Sequence, residues 1–317
     1  MPSSPNTLRR IVCATDLSAR STAAWLRAAA LARQTGARLT VLHVIDPRLP
    51  ARVARRRANR AYVEMLSQAN RAFGATAGFI DVVVRRGGVR RTVVRIAEET
   101  AADLIVVAAP KLRRLDSIVG TTAERLVRTA KRPVLVVRRE MQGNYRSVAV
   151  AADISSASLP MLRTAVRLGA LDSVSATIIH AVHPSYDDMM RSVGLDESSI
   201  NRYQVSAQES ARQRLQTMIT DAGLPPGRTD VIVRSDSAAA AIATVLEHQL
   251  AELLVIGASR WFMLKRLLIG SVADRLLRAA ECDVLVIPYS AAITRSDELL
   301  PVRAPDRMQP HLQLDDA

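Results

Sequence analysis

The chain has 317 residues, 49% of them apolar, a length that suits two ordinary domains better than one. Only 3% are aromatic, so the cores must be built from Val, Leu, Ile and Ala, and platforms that stack bases on aromatic rings are poorly supplied. The net charge of +14 is uneven: residues 1–138 carry +17, residues 139–288 carry −1 and residues 289–317 carry −2. A basic first half beside a neutral second half fits either an acidic partner or a plain solvated basic surface.

Taken in chain order, short apolar runs near 10–15, 39–45, 79–84, 103–108 and 133–137 predict strands. Helical stretches near 18–35, 51–74, 89–101 and 120–131 lie between them. The pattern repeats, with apolar runs near 147–151, 175–182, 230–233, 252–257 and 283–287. Strands alternating with helices imply βαβ units, right-handed crossovers and a parallel sheet covered on both faces. The fold class expected is α/β: two doubly wound five-stranded parallel-sheet domains in tandem. The expected domains span 8–138 and 145–288, and 289–317 reads as a polar, proline-containing tail whose composition is compatible with disorder.

The repeat is explicit in the residues. Arg10-Ile11-Val12-Cys13-Ala14-Thr15-Asp16-Leu17-Ser18 aligns with Ser147-Val148-Ala149-Val150-Ala151-Ala152-Asp153-Ile154-Ser155 at an offset of 137. The offset persists to Leu42-His43-Val44-Ile45-Asp46 against Ile179-His180-Ala181-Val182-His183. Later segments match at 149 and then 150, among them Gly120-Thr121-Thr122-Ala123-Glu124-Arg125-Leu126 against Gly270-Ser271-Val272-Ala273-Asp274-Arg275-Leu276. Ordered matches of this kind indicate a duplication.

Open parallel sheets bind ligands beyond the carboxyl ends of their strands, where the strand order reverses. Asp16 and Asp153 close the first strand of each copy. A carboxylate there can accept hydrogen bonds from a base or ribose, or cap the next helix, and both can hold at once. In the second copy Gly257 ends the fourth strand and Gly270-Ser271 opens the following helix, whose free amides make a seat for phosphate.

Other chemistry is weakly supported. His43 and His180 end the second strand of each copy without a partner nucleophile and read as structural histidines. His183, His248 and His311 have no metal-ligand spacing, and neither a Gly-x4-Gly-Lys loop nor a Gly-x-Ser-x-Gly elbow occurs. Cys13 and Cys282 lie far apart and frame no disulfide, so reduced thiols are expected. The polar start lacks the apolar core of a signal peptide, and no run approaches the ~18 apolar residues of a membrane span. A cytoplasmic location with no membrane contact is therefore expected. Arginine clusters at 52–60, Arg85-Arg86, Arg90-Arg91 and Arg113-Arg114 could meet phosphates, but the scarcity of aromatics disfavours nucleic acid, and 51–74 reads as an amphipathic surface helix or partner contact.

These residues resemble the universal stress protein family, whose motif is Gly-x2-Gly-x9-Gly-Ser/Thr after strand 4 with an Asp after strand 1. The second copy carries Gly257, Arg260 in place of the middle glycine, then Gly270 and Ser271 at the family spacing. The resemblance covers residues 8–138 and 145–288 and is of the tandem, Rossmann-like kind. It implies a cytoplasmic stress-response regulator that is not an enzyme, in a family where some members bind ATP and others do not. Carried over, Asp153 and the backbone near Ala181 face the base, while Gly257, Arg260, Gly270, Ser271 and Val272 lie at ribose and phosphates. In the first copy Asp16 and Val44 match the base side, but Ala108 replaces the first glycine, Lys111 lies near the second in a loop one residue shorter, and only Gly120 and Thr121 remain, so that site is degenerate. Partners implied are pairing of the two copies, a homodimer and a regulatory protein. A slow ATP-hydrolysing or nucleotide-transferring enzyme, or a nucleic-acid-associated protein acting through the basic half, are the alternatives.

Overall fold

The computed structural model describes residues 8–110, 121–140, 143–171, 174–182, 190–235, 237–249, 251–258, 271–289 and 291. It divides the chain into two units, one holding residues 7–143 and the other 144–292.

In the first unit β1 (Arg10–Thr15), α1 (Ala19–Thr35), β2 (Arg38–Ile45), α2 (Ala51–Phe73), β3 (Ile80–Arg86), α3 (Val89–Glu99), β4 (Leu104–Ala108), α4 (Thr122–Thr129) and β5 (Val134–Val137) alternate. In the second, β6 (Ser147–Ala151), α5 (Ser158–Arg167), β7 (Ser175–Ala181), α6 (Glu197–Asp221), β8 (Thr229–Arg234), α7 (Ala238–Gln249), β9 (Leu253–Ala258), α8 (Ser271–Ala279) and β10 (Asp283–Pro288) do the same. The strand order is β3-β2-β1-β4-β5 in one and β8-β7-β6-β9-β10 in the other, every pair within a unit parallel. Each unit is therefore a doubly wound α/β sheet, and in each the order reverses beside the first strand.

The strands read as unbroken apolar runs because helices cover both faces of such a sheet. Val134–Val137 is buried at every residue, and β4 is buried at all but its last. α1 shows why the helices stop and start where they do. Ser18 caps its first turn by accepting from the Ser21 amide, and Gly36 ends it in the left-handed conformation at φ 71°. α2 buries only a narrow stripe, Ala54, Ala58, Ala61, Met65 and Ala69, at the three-to-four-residue spacing of one helix face.

The two copies also share a fastening between strand starts. Asp103 precedes β4 and its Oδ2 accepts from the Arg9 amide at 2.9 Å and the Arg10 amide at 3.0 Å. Glu252 precedes β9 and its Oε2 accepts from the Arg146 amide at 2.6 Å. An acid before the fourth strand thus holds the amide entering the first strand in both.

Cys13 and Cys282 are both buried thiols, and neither is joined in a disulfide. Burial pushes the Cys13 thiol up to about 12, so its reactive thiolate is scarce at neutral pH. Native protein is expected to give no fast reaction with a thiol reagent at pH 8, and two thiols once unfolded in guanidinium. A rapid native equivalent would contradict the buried placement of these side chains.

Among the described residues no helix is long and apolar enough to cross a membrane. Apart from Tyr289 and Ala291, the 289–317 tail lies outside the described residues.

Candidate functional site

The reversal point of the second unit lies between β6 and β9, whose register pairs Ala151 with Ile256. Gly257 follows Ile256, and Asp153 lies two residues past Ala151. β7 ends at Ala181, and the Ala152 amide donates to the Ile179 carbonyl at 3.0 Å. Asp153, Ala181 and Gly257 are thus brought to one end of one sheet. α8 begins at Ser271, so its unpaired first-turn amides, including those of Ser271 and Val272, open the helix that follows β9 and the loop after it. The side chains of Ser271 and Val272, and Arg260 and Gly270 as whole residues, lie outside the described residues.

Asp153 builds the turn that follows β6. Its Oδ1 accepts from the Ser155 amide at 3.1 Å, the Ser155 hydroxyl at 2.5 Å and the Ser158 hydroxyl at 2.6 Å. Its Oδ2 has no hydrogen-bond partner among the described residues, so one oxygen builds the turn and the other is left unengaged. Desolvation pushes the carboxyl up, but the Ser155 and Ser158 hydrogen bonds and the nearby His180 outweigh it, and the group sits below its ordinary value.

The first unit repeats this arrangement. Asp16 Oδ1 accepts from the Ser18 amide at 3.0 Å and the Ser18 hydroxyl, and its carboxyl is likewise lowered, hydrogen bonds from Ser18 and Ser21 and the charge of Arg20 overcoming desolvation. Leu17, between them, is left-handed at φ 62°, a conformation unfavourable to a residue with a branched side chain. Val44 lies in β2, its Cα opposite Arg85 of β3. Thr121 is the N-cap of α4: its hydroxyl accepts from the Glu124 amide at 3.3 Å while Glu124 Oε2 accepts from the Thr121 amide at 2.9 Å. That reciprocal cap engages the donor the degenerate site would offer to phosphate. Gly120 and Lys111 lie outside the described residues.

His43 and His180 occupy equivalent places. His43 Nδ1 lies 2.9 Å from the Thr15 carbonyl and His180 Nδ1 lies 3.0 Å from the Ala152 carbonyl. A carbonyl only accepts, so Nδ1 carries the proton in each, and the ring ties the end of the second strand to the end of the first.

Sequence reasoning missed Ser155, Ser158 and Met161. The two serines had a signal: Asp16-x-Ser18-x-x-Ser21 recurs as Asp153-x-Ser155-x-x-Ser158. Met161 had none. A Cβ built on Gly257 would stand 3.1 Å from Met161 Sδ, and Gly257 is absent from the left-handed glycines, so space, not φ, accounts for this glycine.

The sequence profile of the universal stress protein family matches residues 7–138 and again 144–288. The chain belongs to the universal stress protein family. It is a tandem member, with two family domains in one chain. A Staphylococcus aureus protein named for the same family is 32% identical over 143 residues, which is 42% of this chain and 86% of that protein. Among solved structures, a Pseudomonas aeruginosa protein of unknown function matches 91% of this chain and 95% of its own at 17% identity, with a TM-score of 0.66. A universal stress protein from Archaeoglobus fulgidus matches 88% of this chain and 98% of its own at 18% identity, with a TM-score of 0.62. At these identities the structures support the shared fold.

Proposed function

We propose that this tandem universal stress protein is a non-catalytic, cytoplasmic stress-response regulator whose second domain binds ATP. One observation carries the reading: Asp153 keeps an unengaged carboxylate oxygen at the sheet end where Ala181, Gly257 and the first amides of α8 also lie. Asp153 and the backbone at Ala181 hold the base side. Gly257, Arg260, Gly270, Ser271 and Val272 hold the ribose and phosphates, with the positive helix end complementing phosphate charge. Arg260, where the family has glycine, meets a phosphate from the rim with its guanidinium. Asp16, Val44, Gly120 and Thr121 form a degenerate counterpart that leaves ATP unbound. Two family domains in one chain support their acting as a covalently joined pair, with nucleotide occupancy biasing the choice of a regulatory protein partner or a second copy of the chain.

Calorimetry on the full chain tests this. ATP is expected to titrate to one site per chain, with affinity at least 10-fold weaker in Gly270→Val and in Asp153→Asn, and unchanged in Asp16→Asn. A flat titration, with no adenine nucleotide in native mass spectra of gently purified protein, would refute ATP binding. Repeated turnover of ATP abolished by Asp153→Asn would replace the non-catalytic reading with an enzymatic one.

A further inference from the structure

Between Asp81 and Glu98 the chain holds five arginines and no acid. Within that stretch Arg86 ends edge strand β3, Gly87 and Gly88 form the link, and α3 opens with Val89, Arg90 and Arg91. The first bond of the helix runs from the Thr92 amide to the Gly88 carbonyl at 2.9 Å. The amides of Val89, Arg90 and Arg91 therefore lie ahead of the helical ladder and need an acceptor from elsewhere. Gly88, the N-cap, has no side chain to supply one, and the first turn has no acid. Asp46, after the neighbouring strand β2, is taken by Arg48 at 2.8 Å.

Thr92 points to what those amides meet. It is 4% exposed, yet its hydroxyl has no hydrogen-bond partner among the described residues. Thr22, Thr35, Thr100 and Thr129 in the same unit each donate to the carbonyl four residues back, and Thr92 does not. Its Oγ1 stands 2.6 Å from where a Cβ on Gly87 would be, so the hydroxyl is aimed into the glycine link. A buried hydroxyl left unpaired is costly, and it marks a place where a further polar group belongs. Arg91 folds back over the same link, with Nε 3.8 Å from the Cβ position of Gly88. Arg90 and Arg91 are exposed and make no hydrogen bond or ion pair among the described residues.

Gly88 is at φ −75° and ψ 124°, which any residue adopts, and a Cβ there would meet nothing closer than 3.8 Å. Serine or aspartate would fit and would cap the helix; glycine leaves its start open. The second copy closes the equivalent start itself. At the offset of 149, Ser237 replaces Gly88, and its Oγ accepts from the Ala240 amide at 3.4 Å. Asp236 replaces Gly87, and Ala241 replaces Thr92. One copy carries its own acceptor and acid there, while the other gathers donors and positive charge with nothing to receive them.

We infer that the Gly87–Thr92 segment of the first domain binds the phosphate group of a small phosphate monoester. Such a group carries about −1.5 to −2 charge and three acceptor oxygens at pH 7, enough for the three amides, the Thr92 hydroxyl and the Arg91 guanidinium to share. A diester phosphate, as in a nucleic-acid backbone, has one charge and two free oxygens and leaves donors unmet. Val89, 43% exposed at the first helical position, offers apolar surface to the carbon skeleton of the ester. The seat follows β3 of the first domain, so it does not rest on nucleotide binding by the second.

The test is nitrogen-15 NMR of the full chain, titrated at constant ionic strength with phenyl phosphate, inorganic phosphate and dimethyl phosphate. Phenyl phosphate is expected to shift the Val89, Arg90 and Arg91 amides saturably, binding about threefold tighter than inorganic phosphate and about 10-fold tighter than dimethyl phosphate. Thr92→Val should weaken it about 10-fold, while Thr92→Ser, which keeps the hydroxyl, should stay within about twofold of wild type. Gly88→Asp should abolish binding yet melt no lower than wild type, because its carboxylate takes the helix amides itself. Gly270→Val, which alters the second domain's helix start, should leave these shifts unchanged, so the two sites succeed or fail separately. Absence of saturable shifts at these amides, wild-type affinity in Thr92→Val, or inorganic or dimethyl phosphate binding as tightly as phenyl phosphate would each overturn the inference.

Discussion

Asp103→Ala is expected to destabilise the first domain by about 3 kcal/mol, lowering its melting temperature by roughly 10 °C. Asp103 is only 8% exposed and its carboxylate receives the Arg9 and Arg10 amides, while its own amide donates to the Arg10 carbonyl at 2.8 Å. Removing the acceptor strands donors at the mouth of the central strand, where the chain enters the sheet. Asp103→Asn retains an oxygen and should cost less. Glu252→Ala, the matching change in the second domain, should cost about 1 kcal/mol, because its ion pair with Arg146 is solvent-screened and the side chain is 27% exposed. Desolvation raises the Glu252 carboxyl, but the Arg146 amide and guanidinium outweigh it and hold it below its ordinary value. A lowered carboxyl stabilises above its unfolded pKa, and that contribution is lost as pH falls through the folded one. The gap between wild type and Glu252→Ala should therefore close as the pH is taken below about 4. Thermal denaturation followed by circular dichroism reads all three variants, and an Asp103→Ala protein that melts with wild type would refute the fastening.

The architecture was legible because parallel strands buried on both faces leave continuous apolar runs, as at Leu104–Ala108 and Val134–Val137. Duplication made it more legible still, since a run that recurs in order cannot be an accident of composition. Helix ends were less sharp: the run near 120–131 yields a helix only over Thr122–Thr129, because Thr121 and Glu124 close a capping box at its start. Asp16 and Asp153 could be read as turn builders or ligand groups, and the geometry shows the first, one oxygen of each carboxylate holding the serines that follow. The direction of the basic charge was beyond composition. A count of arginines gives an excess, but only the helix places Arg52, Arg56 and Arg60 along one side, with Glu64 one step further on. Pairs distant in sequence, such as Met161 and Gly257, leave no local pattern at all.

That last pair decides what a glycine in the candidate site is for. Met161→Ala is expected to cost about 2–4 kcal/mol, since Met161 is 3% exposed and its removal leaves a cavity. Gly257→Ala sets a methyl 3.1 Å from Met161 Sδ and should cost about 1 kcal/mol. At the offsets of the repeat, the first copy holds Ala24 and Ala108 where the second holds Met161 and Gly257: small with small, large with none. The double variant Met161→Ala/Gly257→Ala restores the first copy's combination, so the added methyl should cost nothing there, a coupling of about 1 kcal/mol in a denaturation cycle. Additivity within about 0.5 kcal/mol would show that the methyl never presses on the thioether. ATP affinity read on the same variants separates packing from ligand approach. If Gly257→Ala weakens ATP binding and the double variant recovers it, the glycine serves Met161 and acts on the nucleotide only by keeping the strand end in place. If affinity stays low in the double variant, the bare backbone at Gly257 is itself what the nucleotide requires.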